Sequence, residues 1–360
     1  MAQIDAFFKL MNEQGASDLH LSAGTQPLLR IRGELERIKY KILENDELRS
    51  LLFEITAEDK IKEFEETGDI DFSHEVPGLA RYRVNFFRQL HGIGAVFREI
   101  PNKIMTIDEL GLPLVMKRLA LLPKGLVLVT GPTGSGKSTT LAAIVDHANR
   151  SRKDHILTIE DPVEFVHQNI SCTINHREVG RHTRSFSAAL RGALREDPDI
   201  IMVGEMRDLE TISLAIEAAE TGHLVFATLH TISASKTVDR IIEVFPSHQQ
   251  GQIRATLADS LRAVVAQTLF KRIDRKGRLA ALEILIATHA VRNLIREGKT
   301  FQLPSVIQTG KKYGMTSLDD SIMDYLKKGY ISGDDAYSKC VDKEKFKSYV
   351  SELVTDFTEV

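Results

Sequence analysis

Tryptophan is absent from this sequence of 360 residues, and cysteine occurs only twice, as Cys172 and Cys340. Two thiols so far apart in sequence can form neither a disulfide framework nor a four-cysteine zinc site, so the composition favours a reducing compartment. No apolar run approaches the ~20 residues that a membrane-spanning helix requires. The amino-terminal segment MAQIDAFFKLMNEQG lacks a basic stretch before an apolar core, so we expect no secretory signal peptide there.

An excess of positive charge is also lacking. The formal net charge is −3 at pH 7, so the composition gives no support to nucleic-acid binding. Apolar residues make up 42% and charged residues 27%, which is typical of a globular protein with a buried core. The length is sufficient for two domains.

One glycine-rich segment lies between an apolar run and a helical pattern. Residues 131–139 read GPTGSGKST, follow the apolar run 126–129 and precede a helical pattern. This context predicts a loop that binds nucleotide phosphates through backbone N–H groups and a helix N-terminus, rather than a glycine-rich turn without a ligand. Lys137 is expected to reach the β- and γ-phosphates, and Ser138 to bind Mg²⁺. The predicted loop residues are Gly131, Pro132, Thr133, Gly134, Ser135, Gly136, Lys137, Ser138 and Thr139.

The first 99 residues predict an α+β domain, because strands, a helix pair and further strands follow one another. Proline at both ends of the next stretch marks residues 100–113 as a linker. The expected elements are a helix over 3–14, strands over 17–24 and 27–38 with a turn at Gly33-Glu34, helices over 44–56 and 57–67, and three strands after Gly68.

From Leu114 onward, strands and helices alternate. The strand candidates are near-continuously apolar and end in polar residues, a pattern that predicts a parallel sheet covered on both faces. Ligands gather at the carboxyl ends of such strands. The expected elements are strands at 125–131, 155–161, 199–205 and 223–230, a helix over 208–222 with Asp208 as its N-cap, one long helix over 252–273, a strand at 279–287, a helix capped by Thr288, a helix over 315–329, and a partly docked helix or tail from Asp342.

Acidic residues end two of the predicted strands. Glu205 closes DPDIIMVGE at the position where a P-loop ATPase polarises the attacking water, although Gly204 replaces the usual metal-binding aspartate before it. Glu160, Asp161 and Glu164 follow a neighbouring strand and could hold Mg²⁺ or its waters. Taken singly, each acid is better explained as a solvated strand-end charge; their common position favours a site.

Histidines and arginines supply further candidates. His230 ends a strand and is a plausible γ-phosphate sensor, whereas for His223 functional and structural roles are evenly balanced, and metal binding by this pair is disfavoured. Arg81 and Arg83 share one face of a predicted strand, and Arg98 lies on the next. They form either a solvated sheet face or a positive patch directed at the nucleotide.

Four segments make the sequence resemble the secretion/type IV pilus ATPase superfamily, and within it the retraction motors of type IV pili. The resemblance extends from residue 1 to about residue 340. The retraction subgroup is favoured by the cysteine deficit, by the early start of the first domain and by AVRNLIREGK (290–299), which is similar to the retraction motif AIRNLIRE. The four segments are GPTGSGKST (131–139), ILTIEDPVEF (156–165), REDPDIIMVGEMRD (195–208) and TGHLVFATLHT (221–231).

The resemblance implies an α/β architecture: a PAS-like α+β domain over residues 1–99, the linker, a RecA-like P-loop ATPase domain over 114–288, and a C-terminal helical region over 289–360. It implies that ATP and Mg²⁺ bind between the first two domains, with Arg81, Arg83 and Arg98 facing the phosphates. Glu205 would be the catalytic carboxylate, and Glu164 would help to hold the metal. The nucleotide-sensing segment would contribute Thr221, His223 and His230.

The implied function is an ATP-hydrolysing motor that depolymerises pili and drives twitching motility. Its implied partners are identical copies in a homohexamer, the inner-membrane platform protein at the pilus base, the pilus machinery and a possible second, paralogous retraction ATPase. The implied location is the cytoplasm, peripheral to the inner membrane. The alternatives are a pilus-assembly or type II secretion ATPase, a weakly hydrolysing regulatory ring subunit and, more remotely, a P-loop kinase.

Overall fold

The computed structural model describes residues 2–31, 33–100 and 103–350. By contact density the chain divides into two compact units. The first contains the residues up to Lys103 together with Pro162–Val166, and the second contains the remainder from Ile104 onward. Residues 101 and 102 of the expected linker lie outside the described residues, whereas Ile107 and Leu112 pack into the core of the second unit.

An antiparallel sheet forms the first unit, and three helices contribute to its core. Among the described residues the sheet has six strands, in the order β3-β2-β1-β6-β5-β4. The strands and helices match the elements expected from the sequence. They are α1 (Asp5–Gln14), β1 (Asp18–Ser22), β2 (Leu28–Ile31), β3 (Glu34–Arg37), α2 (Asn45–Phe53), α3 (Glu58–Thr67), β4 (Asp69–Val76), β5 (Ala80–Gln89) and β6 (Gly92–Ile100).

Strand alternation gives this sheet one apolar and one charged face. Along β5, Tyr82 and Val84 are fully buried, whereas Arg81 and Arg83 point to the other face. The Tyr82 ring stacks on Phe8 of α1 at a centroid distance of 4.4 Å, so the helix covers the apolar face. The arginines are thereby left on the opposite face.

A mostly parallel sheet forms the second unit, as the sequence predicts. Within the described ranges it has seven strands in the order β13-β12-β7-β11-β10-β8-β9, and only β13 runs antiparallel to its neighbour. Its elements are α4 (Val115–Ala120), β7 (Gly125–Thr130), α5 (Lys137–Ser151), β8 (His155–Glu160), β9 (Thr173–Glu178), α6 (Phe186–Ala193), β10 (Ile200–Val203), α7 (Leu209–Thr221), β11 (Leu224–Leu229), α8 (Ala234–Glu243), α9 (Ser247–Ser260), β12 (Leu261–Lys271), β13 (Arg278–Ile286), α10 (His289–Arg296), α11 (Leu303–Thr309), α12 (Leu318–Lys327) and α13 (Gly333–Lys339).

Two apolar cores cover the faces of this sheet. Every residue of β7 and of β11 is buried, and alternate residues of each strand enter one core or the other. Polar side chains cap the helices at the positions expected: Asp208 accepts from the Thr211 N–H at 2.8 Å, and Thr288 caps α10. None of the helices in the described part of the chain combines the length and apolar character needed to cross a bilayer.

The predicted long helix over residues 252–273 is wrong. The helix α9 ends at Ser260, and residues 261–271 form β12, which pairs with β7 on one side and β13 on the other. Residues 263–266 are apolar and buried between these neighbours, and a continuous apolar run of this kind cannot be assigned to helix or strand from its periodicity alone. The strand β12 lies directly beside β7, which leads into the glycine-rich loop.

The end of the described chain is docked, as expected, but by short turns rather than by a helix. Two 3₁₀ turns, Lys343–Lys345 and Lys347–Tyr349, place Phe346 in a small core with Phe270. Residues 351–360 of the predicted C-terminal region lie outside the described residues.

Candidate nucleotide site

The glycine-rich loop joins β7 to α5 in a conformation that requires glycine. Gly131, Gly134 and Gly136 all have positive φ angles, of 144°, 77° and 87°. A Cβ atom at Gly131 would lie 2.4 Å from the backbone oxygen of Gln267, so no other residue fits there without displacement of the strand. The loop residues 132–134 are exposed, whereas Ser135 is buried against β12.

Lys137 begins the helix and lies back across the loop. Its Nζ donates hydrogen bonds to the backbone oxygens of Gly131 at 2.9 Å and Pro132 at 3.2 Å. Ser138 and Thr139 occupy the first turn of the same 15-residue helix and are half-buried. Because the first N–H groups of a helix lack intrahelical acceptors, this end of α5 favours a negatively charged group.

Parallel pairing brings the carboxyl ends of four strands to the edge of the sheet where this loop lies. Glu160 is the last residue of β8, Glu205 follows β10, and His230 follows β11. Glu160 is buried, and its Oε1 lies 3.8 Å from the Nδ1 atom of His176 on β9. Asp161 is exposed, whereas Glu164 lies in the segment 162–166 that belongs to the first unit.

Glu205 is held between two basic side chains. Its carboxylate lies 2.8 Å from an Nη2 atom of Arg207 and 3.0 Å from Nε2 of His230. Burial acts to raise the pKa of Glu205, but the hydrogen bond and charge of Arg207 and the proximity of His230 outweigh it, so the pKa lies below its usual value. The carboxylate is therefore ionised and oriented at neutral pH.

Close packing explains why glycine precedes Glu205. The N–H of Gly204 donates to the backbone oxygen of Ile159 at 2.7 Å, and the Thr228 hydroxyl donates to its carbonyl oxygen at 2.5 Å. A Cβ atom at this position would lie 3.2 Å from the Ile159 oxygen and 3.3 Å from the Glu160 Cα. An aspartate at position 204 would therefore require the neighbouring strand to shift.

Thr221 and His223 are not brought to this edge of the sheet. They precede β11, and the backbone oxygen of His223 accepts from the N–H of Gly125 at the start of β7. Each of these strands is six residues long, which separates its two ends by ~20 Å. Within one chain, these two residues therefore lie far from the glycine-rich loop.

The three predicted arginines share the charged face of the first unit. Arg83 and Arg98 are directly opposite each other in the β5–β6 register. Arg81 donates to the Ser73 hydroxyl at 2.7 Å, Arg83 lies 3.8 Å from Asp71, and the Nε atom of Arg98 lies 2.8 Å from Asp18. Each arginine thus has a polar partner within its own unit.

Two residues of this site were missed from the sequence. Arg207 is two positions beyond Glu205 in the same segment, so that spacing was a signal that could have revealed it. Gln267 falls within the predicted helix over 252–273, but it lies on β12, is 2% exposed and donates from Nε2 to the Ser135 backbone oxygen at 2.5 Å. The residues around Gln267 show no pattern that marks it as functional. Its position becomes informative only once β12 is known to lie beside the loop.

A buried strand, a glycine loop closed by lysine, and a helix that receives the loop define a P-loop nucleotide-binding protein. The family described as Type II/IV secretion system protein matches residues 2–332. The chain belongs to this family.

Three similar proteins are particularly informative. The Type IV pilus retractation ATPase PilT of Pseudomonas aeruginosa is 56% identical over 334 residues, which cover 93% of this chain and 97% of that protein. The Twitching motility protein of Neisseria gonorrhoeae is 49% identical over 318 residues, which cover 88% of this chain and 85% of that protein. A crystal structure of the pilus retraction motor PilT with bound ADP superposes with a TM-score of 0.89 at 42% identity, covering 97% of this chain and 99% of that one.

The environment of Glu205 generates a testable prediction about its ionisation. The Arg207→Gln substitution removes the guanidinium charge and its charge-assisted hydrogen bond, which help to lower the pKa of Glu205, so this pKa should rise. Because the pKa is lowered in the folded protein, the ionised carboxylate stabilises the fold at neutral pH, and this contribution is lost as the pH falls through that pKa. NMR titration of the Glu205 side-chain carboxyl measures the shift.

The control is Arg195→Gln, which neutralises an exposed arginine in the segment before β10. It should leave the Glu205 titration unchanged. An unchanged titration in Arg207→Gln as well would show that the ion pair does not set the charge of Glu205.

Proposed function

We propose that this protein is an ATP-hydrolysing motor that powers the retraction of type IV pili. The single observation that carries the proposal is the Glu205 carboxylate, held 2.8 Å from Arg207 and 3.0 Å from His230 at the same edge of the sheet as the glycine-rich loop. The retraction ATPase and the twitching motility protein to which the chain is similar support the biological role. The ADP in the similar crystal structure supports the ligand.

The proposed architecture is a PAS-like domain followed by a RecA-like ATPase domain. The antiparallel sheet with helices on one face supports the first assignment, and the parallel sheet with the phosphate loop supports the second. The proposed boundaries remain residues 1–99, the linker 100–113, the ATPase domain 114–288 and the helical region 289–360.

The proposed chemistry uses each group according to its position. The loop N–H groups and Lys137 bind the phosphates, and Lys137 exchanges its loop carbonyl partners for phosphate oxygens. Glu205 orients the attacking water and accepts its proton, a general-base role that typically contributes 10²–10⁴ in rate. His230 holds the carboxylate in place and senses the γ-phosphate, while Arg207 keeps the carboxylate ionised until the water is bound.

Magnesium is proposed to bind together with the nucleotide. In the described ranges, no three Asp, Glu, His or Cys side chains are grouped closely enough to hold a metal ion by themselves. Mg²⁺ commonly binds one or two protein groups together with substrate phosphates and water, so the Ser138 hydroxyl, Glu164 and the Glu160–Asp161 pair suit it chemically. When bound, it would neutralise charge that develops on the phosphates.

The arginines of the first unit are proposed to couple hydrolysis to movement. Arg98 is the best candidate because its side chain is 67% exposed, although its carboxylate partner Asp18 is buried. Asp18 would not be left unpaired, since Arg30 also lies within 3.7 Å of it. An arginine delivered by one unit to a nucleotide held by the other makes turnover depend on their relative position.

The proposed assembly is a homohexamer, with a platform protein and the pilus machinery as partners at the cytoplasmic side of the inner membrane. A paralogous retraction ATPase is a further proposed partner. A nucleotide-sensing role for Thr221 and His223 requires a nucleotide bound by another subunit, because these residues are remote from the loop of their own chain.

Glu205→Gln tests the proposed chemistry. The substitution preserves size but removes the base, so ATP turnover should fall on the order of 10²–10⁴-fold. ADP affinity should be retained, because Glu205 does not bind the phosphates that ADP keeps. Steady-state hydrolysis and ADP titration measure the two effects. Glu217→Gln, an exposed change on α7, is the control and should behave as wild type. Wild-type turnover in Glu205→Gln would eliminate the assigned base.

Arg98→Ala tests the proposed arginine. If Arg98 reaches the γ-phosphate, turnover should fall by up to ~10³-fold while ADP affinity is unchanged. Arg30→Ala is a matched control, since Arg30 lies on the same face and also faces Asp18. Equal losses in the two variants would attribute the effect to the loss of one of the two cations beside Asp18, and would contradict a role for Arg98 at the nucleotide.

The exposed face of α10 tests the retraction role specifically. Ile295 is fully buried, so alanine there would disturb the core, whereas Asn293 and Arg296 are exposed. Replacing Asn293 and Arg296 with alanine should keep hydrolysis within roughly twofold of wild type, because surface changes cost little stability. Pilus retraction measured in cells should stop.

The control for α10 is the double replacement of Lys236 and Arg240, two exposed residues of α8. Normal retraction in the α10 variant would indicate that this helix is only part of the fold. Loss of pilus assembly instead of retraction would favour an assembly motor.

A further inference from the structure

Gln267 is a buried amide that contacts the glycine-rich loop from the neighbouring strand. Its side chain donates from Nε2 to the Ser135 backbone oxygen at 2.5 Å. Its Oε1 atom is buried and has no hydrogen-bond partner in the described structure. An apolar side chain of similar size would fill this space without burying an unpaired oxygen, so packing alone does not explain glutamine here.

The hydrogen bond to Ser135 fixes the direction of the next N–H group. A trans peptide is planar, and its C=O and N–H point in opposite directions. With the Ser135 oxygen drawn toward Gln267 on β12, the N–H of Gly136 must point away from β12. A loop that binds phosphate needs its N–H groups, and not its carbonyl oxygens, directed at the anion.

Nothing in the covalent structure prevents this peptide from turning over. Rotation of the Ser135–Gly136 peptide changes ψ of Ser135 and φ of Gly136, which now has a φ of 87°. Glycine accepts positive and negative φ about equally, so the backbone at Gly136 permits the reversed peptide. In the reversed orientation the Ser135 carbonyl oxygen would face the phosphates and repel them.

We propose that Gln267 is a positioning residue that locks the Ser135–Gly136 peptide in the orientation that binds phosphate. The proposal rests on the nucleotide binding put forward as the proposed function. Gln267 acts through the loop backbone and does not itself touch the nucleotide. Without its donor, the loop divides its population between the two peptide orientations, and only one of them binds ATP.

Control of the peptide orientation by Gln267 has a kinetic consequence that a merely structural glutamine would not have. When only a fraction of the protein is competent to bind, the apparent dissociation constant rises by the inverse of that fraction. Saturating ATP recovers the competent orientation, so kcat is preserved while KM rises. Loss of the fold would instead lower kcat together with the melting temperature.

The experiment uses Gln267→Met in the full-length protein, a change that keeps the side-chain length but removes the donor. We expect KM for ATP and Kd for ADP to rise about tenfold, with kcat within about twofold of wild type. The melting temperature without nucleotide should change little. Thr268→Val is the matched control, because Thr268 is the next residue of β12 and faces the opposite side of the strand.

The outcomes separate this proposal from the proposed function. If Gln267→Met binds ADP with wild-type affinity, the proposed role of Gln267 in orienting the peptide is wrong, and the proposed function is unaffected. Failure of the wild type to bind ADP overturns both. If Gln267→Met does not fold, Gln267→Leu replaces it, since leucine is close in size and also lacks the donor. Wild-type ADP affinity in Gln267→Leu equally overturns the proposal.

Discussion

Parallel pairing of fully buried strands is the constraint on which the candidate site depends. Residues of β7 and β11 are covered on both faces, so charged side chains cannot be placed along them without a large desolvation cost. Charged and ionisable groups therefore occur where the strands end. Because neighbouring strands run in the same direction, Glu160, Glu205 and His230 end at the edge where the glycine-rich loop begins.

At that edge, close packing limits where an acidic side chain can be placed. The backbone at Gly204 lies so close to Ile159 and Glu160 that a larger residue would displace the neighbouring strand. Position 204 therefore carries no acidic side chain. The acidic groups are Glu205, one residue later, and Glu160 at the end of β8. Glu205 can remain ionised while half-buried because Arg207 and His230 compensate for its desolvation.

In the first unit, charged side chains again compensate for the burial of a carboxylate. Its sheet has an aromatic face under α1 and a face of alternating arginines and acids. Asp18 is buried, and burial raises its pKa, but hydrogen bonds from Ser17 and Arg98 reverse the effect and lower it. A buried carboxylate with two arginines beside it can lose one without becoming unpaired. The proposed transfer of Arg98 to a nucleotide would leave Asp18 facing Arg30.

The sequence by itself determined the phosphate loop, the strand-terminal acids and the two-faced sheet of the first unit. These features are local, since glycine spacing, helix caps and two-residue alternation depend on neighbouring positions. Tertiary structure alone decided that residues 261–271 are a strand and that Thr221 and His223 lie far from the loop. A buried apolar run has no distinguishing period, and the pairing register is set by contacts between distant segments. Gln267 became recognisable only when that register placed it beside Ser135.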